Sequence, residues 1–79
     1  MAIDSADLTL DCRHMLCPTP IVKVSKAIKE VELGQTLLLI ADDPGAPSDV
    51  QSWSRRTGNE LVSTEQEGDV SRFLIRRTR

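Results

Sequence analysis

The chain has 79 residues, 39% of them hydrophobic and 28% charged, with a formal net charge of −2. A domain this small buries only about 60–65% of the surface its unfolded chain exposes, so it holds one thin core and no deep enclosed cavity. The charge leaves no footprint for wholesale nucleic-acid binding, and two cysteines are too few for a disulfide-stapled secreted scaffold.

Met1-Ala2-Ile3-Asp4 lacks the basic and apolar regions of a signal peptide. The longest apolar stretch, Leu37 to Ala41, is too short to cross a bilayer. A single domain over residues 1–79 in a reducing cytoplasm, with no membrane partner, is expected. There, a cysteine is reactive or buried rather than cross-linked.

Leu8-Thr9-Leu10-Asp11-Cys12 alternates, with Leu8, Leu10 and Cys12 on one face, which predicts a first strand with one buried side. Arg13 to Leu16 is a short loop. Ile21, Val24, Ala27/Ile28 and Val31 recur at helical spacing, with Lys23, Lys26, Lys29 and Glu30 opposite them. This predicts an amphipathic helix that begins near Pro18 and is capped at Gly34. Thr36 to Ala41 is a continuous apolar run, expected of a strand buried on both sides. Asp42-Asp43-Pro44-Gly45 reads as a turn rather than an acid pair. A second helix follows from about Pro47 to Thr57, anchored by Val50 and Trp53 and ended by Gly58-Asn59. Leu61 to Glu67 is a polar strand, Glu67-Gly68-Asp69 a tight turn, and Val70 to Arg77 the returning strand. The order β-α-β-α-β-β predicts an α+β fold: a two-layer sandwich with both helices on one face of a four-stranded mixed sheet. The other sheet face is expected to be partly exposed. Arg72, Arg76, Arg77 and Arg79 crowd the end of the chain without an acid nearby in sequence, as a solvated edge or as a docking surface for an acidic partner.

Cys17-Pro18-Thr19-Pro20 carries the chemistry. With Pro18 as the first helical residue, Cys17 is the N-cap, and its sulfur lies at the positive end of the helix dipole. A thiolate is favoured there, and the thiolate is the nucleophile. Arg13 and His14 add positive charge within one loop. A capped anion accepts hydrogen bonds from the second and third helical N–H groups. Pro20 has none, which leaves Thr19 as the early donor, so the sulfur gains from the dipole without being tightly solvated. Cys12 shares the inward face of the first strand and reads as a core thiol; a resolving cysteine that pairs with Cys17 on oxidation is the alternative.

Asp11-x-Arg13-x-x-x-Cys17-Pro18-x-Pro20 resembles the signature of the TusA-like (SirA-like) sulfur carriers. The similarity covers nearly the whole chain, through Gly34, Asp43-Pro44, Asp49-Val50 and Gly58 before Leu61. The family fold is the same βαβαββ sandwich. The resemblance implies that Cys17 accepts sulfane sulfur as a persulfide and passes it to an acceptor cysteine. The implied donor is a cysteine desulfurase or a rhodanese-like protein, and the implied acceptor a DsrE-like or TusD-like protein. Transfer-RNA thiolation, cofactor synthesis and sulfur-compound oxidation are the implied settings. Arg13, Pro18 and Pro20 are the implied supporting motif, and no cofactor is required. The chain departs from the family pattern at His14-Met15, where Gly-Leu is usual, and at Gly58-Asn59, where Gly-His is common. His14 and Cys12 are therefore candidate modulators.

Cys12-x-His14-x-x-Cys17 offers three potential zinc ligands, but Cys12 faces the core and no fourth is evident, so no metal is expected. A Cys-His hydrolytic pair lacks an orienting carboxylate and an oxyanion hole. The functional alternative is a regulatory interaction module that binds a protein or RNA through the open sheet face and basic end, with Cys17 incidental.

Overall fold

The computed structural model describes residues 6–16 and 19–79. Among them, strand β1 (Leu8–Cys12) leads to helix α1 (Thr19–Ala27), which tightens into a 3₁₀ turn over Ile28–Glu30. Strand β2 (Thr36–Ala41), helix α2 (Ala46–Thr57), and strands β3 (Glu60–Glu67) and β4 (Val70–Arg76) follow. Both helices lie over one face of a four-stranded mixed sheet, the expected two-layer α+β arrangement.

The strand order is β1-β2-β4-β3. β1 and β2 are parallel, while β4 is antiparallel to both β2 and β3. The strands are thus not laid down in chain order: β4 inserts between β2 and β3. Burial explains this. β4 is the more apolar of the last two strands and takes the interior place, while the polar β3 takes the edge.

Register places Leu10, Leu39 and Phe73 abreast, and likewise Leu8, Leu37 and Ile75. These rows face the helices and pack with Val24, Ile28, Val31, Val50 and Trp53. A bulge between Leu61 and Ser63 shifts the β3 register, keeping Leu61 opposite Ile75 while Ser63 meets Leu74. Trp53, expected as the anchor of α2, is 1% exposed, and its indole N–H donates to Ser25 Oγ at 2.9 Å.

Two expectations change. First, α1 does not run to Gly34. Its α-helical hydrogen bonding stops at Ala27, and Gly34 (φ 88°) sits in a turn closed by Gln35 N–H on Glu32 O. A positive φ at the third position of such a turn suits glycine. Second, Arg76 does have an acid partner, Glu60 on β3, at 3.0 Å. The face away from the helices is partly exposed, as expected: Thr9 and Asp11 lie in solvent, while Leu38 and Leu74 at its centre are 6% and 1% exposed, with Arg72 and Arg76 flanking Leu74 along β4. Arg77 donates to the carbonyls of Val31 and Arg79. No helix among the described residues is long and apolar enough to cross a membrane.

Trp53→Ala should destabilise the domain by about 3–5 kcal/mol in urea unfolding, because a large void opens in the helix–sheet core. Leu33→Ala, at a side chain 66% exposed, should change stability by no more than about 0.5 kcal/mol.

Candidate functional site

The sequence motif spans the end of β1, the loop over residues 13–16 and the start of α1. Cys17 and Pro18 lie outside the described residues, as do the expected N-cap at Cys17 and any pairing of Cys17 with Cys12. The residues on either side of them frame the site.

β1 and β2 end in register, at Cys12 and Ala41. The loop toward Cys17 and the turn after β2 therefore leave the sheet side by side. Arg13 folds back on Asp11: its guanidinium donates to both carboxylate oxygens, with Nη2 2.8 Å from Oδ2, and its backbone N–H donates to Oδ1 at 3.1 Å. These hydrogen bonds hold the Asp11 carboxyl down at about 2, against an ordinary 3.8. The Arg13 charge is thus largely committed to Asp11 rather than free to act on a neighbouring sulfur.

His14 has φ 67°, the single non-glycine residue with positive φ among those described. A left-handed backbone is one that glycine adopts without penalty, which fits the glycine expected here from the resemblance. The imidazole is 91% exposed, with Nδ1 3.6 Å from Asp42 Oδ2. The backbone N–H of His14 donates to both Asp42 oxygens at 3.0 Å. Met15 packs against the core, whereas Leu16 is 74% exposed. Leu16 is thus an apolar side chain held in water, adjacent in sequence to Cys17.

At the start of α1, the Thr19 N–H donates to Leu16 O at 2.9 Å. The donor expected to serve Cys17 is already engaged. Pro20 is fully buried, and because proline has no N–H, it carries the first turn into the core without stranding a donor.

Cys12 is completely buried within the hydrophobic core, and burial pushes its thiol pKa up. It is a free, packed thiol. Cys12 and His14, two of the three considered zinc ligands, sit in opposite environments, one sealed and one in solvent. Among the described residues, no group of three or more His, Cys, Asp or Glu is arranged to hold a metal ion. Sequence reasoning missed Asp42, which reads as part of an Asp-Asp-Pro-Gly turn. Its partner is 28 residues away, a separation that no local pattern signals. Asp42 also borders an acidic cleft of about 390 Å³, shared with Asp43, Asp69 and Ser71.

The family model described as Sulfurtransferase TusA matches residues 8–77. The candidate sulfur carrier protein YrkI of Bacillus subtilis is 40% identical over 72 residues, covering 91% of this chain and 96% of that protein. The sulfur carrier protein TusA of Allochromatium vinosum is 38% identical over 72 residues, covering 91% and 95%. A second Bacillus subtilis protein, the candidate sulfur carrier YrkF, is 38% identical, but this chain spans only 39% of its length. The crystal structure of a SirA-like protein from Desulfitobacterium hafniense superposes with a TM-score of 0.77 at 22% identity, covering 91% of this chain and 99% of that one. That likeness shows the fold.

The local chemistry can be tested at both ends of β1's last turn. Asp11 has a lowered folded-state pKa, so its contribution to stability is full above its ordinary 3.8 and is lost as pH falls through about 2. In acid unfolding followed by circular dichroism, Asp11→Asn should flatten the loss of stability over that window. Cys12 should resist iodoacetamide in the native protein and react only when unfolding exposes it; native labelling at the rate of a free thiol would contradict its placement.

Proposed function

Because this chain belongs to the TusA family, we propose that it is a sulfur carrier that holds sulfane sulfur as a persulfide on Cys17. The observation that carries this reading is the family match over residues 8–77, within which lies Cys17-Pro18-x-Pro20; the other cysteine of the chain, Cys12, is sealed in the core.

The chemistry is two nucleophilic displacements at sulfur. The Cys17 thiolate attacks the outer sulfur of a donor persulfide. An S–S bond forms at Cys17, the donor's S–S bond breaks, and the donor leaves as a thiolate. In the second step, an acceptor thiolate attacks the outer sulfur on Cys17, takes it as a new persulfide, and releases the Cys17 thiolate. No net oxidation or reduction occurs, and no cofactor is consumed.

The surroundings support this cycle. The start of a helix favours the thiolate. Thr19 spends its N–H on Leu16 and Pro20 has none, so neither adds a hydrogen bond that would stabilise the sulfur anion and blunt its nucleophilicity. Pro20, locked in the core, steadies the helix start. Exposed Leu16 gives a docked partner an apolar contact one residue before Cys17 in the chain. A cysteine desulfurase or rhodanese-like donor and a DsrE-like or TusD-like acceptor fit these steps. The settings are sulfur relay toward transfer-RNA thiolation or cofactor synthesis, or sulfur-compound oxidation in the cytoplasm.

Incubation with a cysteine desulfurase and cysteine, followed by peptide mass spectrometry, tests the reading. Cys17 should gain one sulfur atom, Cys12 none, and Cys17→Ser should remain unmodified. Absence of that gain on Cys17 would overturn it.

A further inference from the structure

Three successive backbone N–H groups lead toward Cys17, and each is pinned. Arg13 N–H bonds to the Asp11 carboxylate at 3.1 Å, and Met15 N–H to Cys12 O at 3.3 Å. Both partners lie in β1 itself, so these bonds shape the turn without tying it to anything else. The middle N–H, of His14, bonds to Asp42, which stands one residue beyond β2. It alone of the three fixes the loop to a second strand.

His14 is also where the loop departs from ordinary backbone. A left-handed conformation is disfavoured for any residue with a Cβ, and it persists where the surroundings hold it. Asp42 supplies the hold: a carboxylate 24% exposed, with both oxygens 3.0 Å from one N–H, is a charge-assisted bond well placed to do so. The ionisable groups that face it are the His14 imidazole at 3.6 Å, Arg13, whose charge interacts with it, and Asp43 and Asp69 across the cleft.

We infer that Asp42 is a positioning residue for Cys17: by holding the His14 N–H, it sets the path of the loop that presents the thiol. The inference rests on Cys17 as the reacting residue. Asp42 acts through the backbone at His14. An asparagine can still offer a carbonyl oxygen to that N–H, whereas alanine cannot. A glycine in place of His14 removes the conformational penalty that Asp42 offsets.

The pH profile of Cys17 alkylation by iodoacetamide, read peptide by peptide in the mass spectrometer, tests this. Asp42→Ala should lower the rate at neutral pH about tenfold, because a thiol displaced from the helix start is less often a thiolate. Asp42→Asn should stay within about threefold of wild type. Adding His14→Gly to Asp42→Ala should recover most of the loss, a coupling that a generally weakened fold would not show. A wild-type profile in folded Asp42→Ala overturns the inference. So does a loss that is just as large in Asp42→Asn and is not reduced by adding His14→Gly. If Asp42→Ala does not fold, amide exchange in the unaltered protein decides: the His14 N–H should exchange at least about tenfold more slowly than an open loop amide, and exchange at the open rate overturns the inference. Alkylation reports the placement of Cys17 whether or not sulfur is its cargo, so this result and the persulfide test fail independently.

Discussion

The parallel pairing of β1 with β2 is the constraint on which the rest depends. Parallel neighbours need a crossover, and α1 is that crossover. Because the two strands end in register at Cys12 and Ala41, the loop that leads to α1 and the turn that leads to α2 emerge from the same end of the sheet. That brings Asp42 under the His14 N–H and places the motif cysteine, in sequence, on the route from a sheet edge to a helix start. In open α/β sheets, reactive sites gather at the carboxyl ends of the strands for the same geometric reason.

The thin core sets a second condition. With little interior to spare, every polar group taken inside needs a partner, and among the described residues no buried side-chain nitrogen or oxygen is left without one. Buried Thr36 exchanges hydrogen bonds with Asp7 across the start of the β1–β2 pair. Asn59 is 5% exposed and accepts the N–H groups of Thr78 and Arg79, which clamps the chain end beside α2. Pro20 meets the same condition differently, by bringing no donor at all. The feature that packs the start of α1 also withholds a hydrogen bond from the residues just before it, so the stability of the helix start and the reactivity proposed for Cys17 share a cause.

Much of this was legible in the residues. The alternation of Leu8, Leu10 and Cys12, the helical spacing from Ile21, the TLLLIA run and Gly58 as a stop all report local burial or backbone need. Where local signals end, expectation and structure part. Gly34 reads as a helix cap because turn and cap both ask for positive φ. The insertion of β4 depends on which of two adjacent strands is better buried, a comparison made only in the folded sheet. Glu60 meets Arg76 from 16 residues away, and Asp42 meets His14 from 28; both contacts belong to topology. The motif cysteine was conspicuous from its prolines, but the residues that hold its loop were not. His14 looked like a source of charge, and its structural weight lies instead in its backbone.

These elements combine into a simple division of labour. The sheet and Asp42 hold the approach, Asp11 holds Arg13, Pro20 holds the helix start, and Cys12 takes no part because it is sealed. The role we propose for Cys17 is reversible possession of a sulfur atom, and reversibility is the central claim. A single-turnover chase tests it most directly: protein loaded with sulfur on Cys17 is mixed with a small-molecule thiol, and both products are followed. Attack on the outer sulfur should return free Cys17 and leave a matching amount of persulfide on the thiol. Release of hydrogen sulfide with a mixed disulfide left on Cys17 would mean attack on the inner sulfur, and would contradict a carrier.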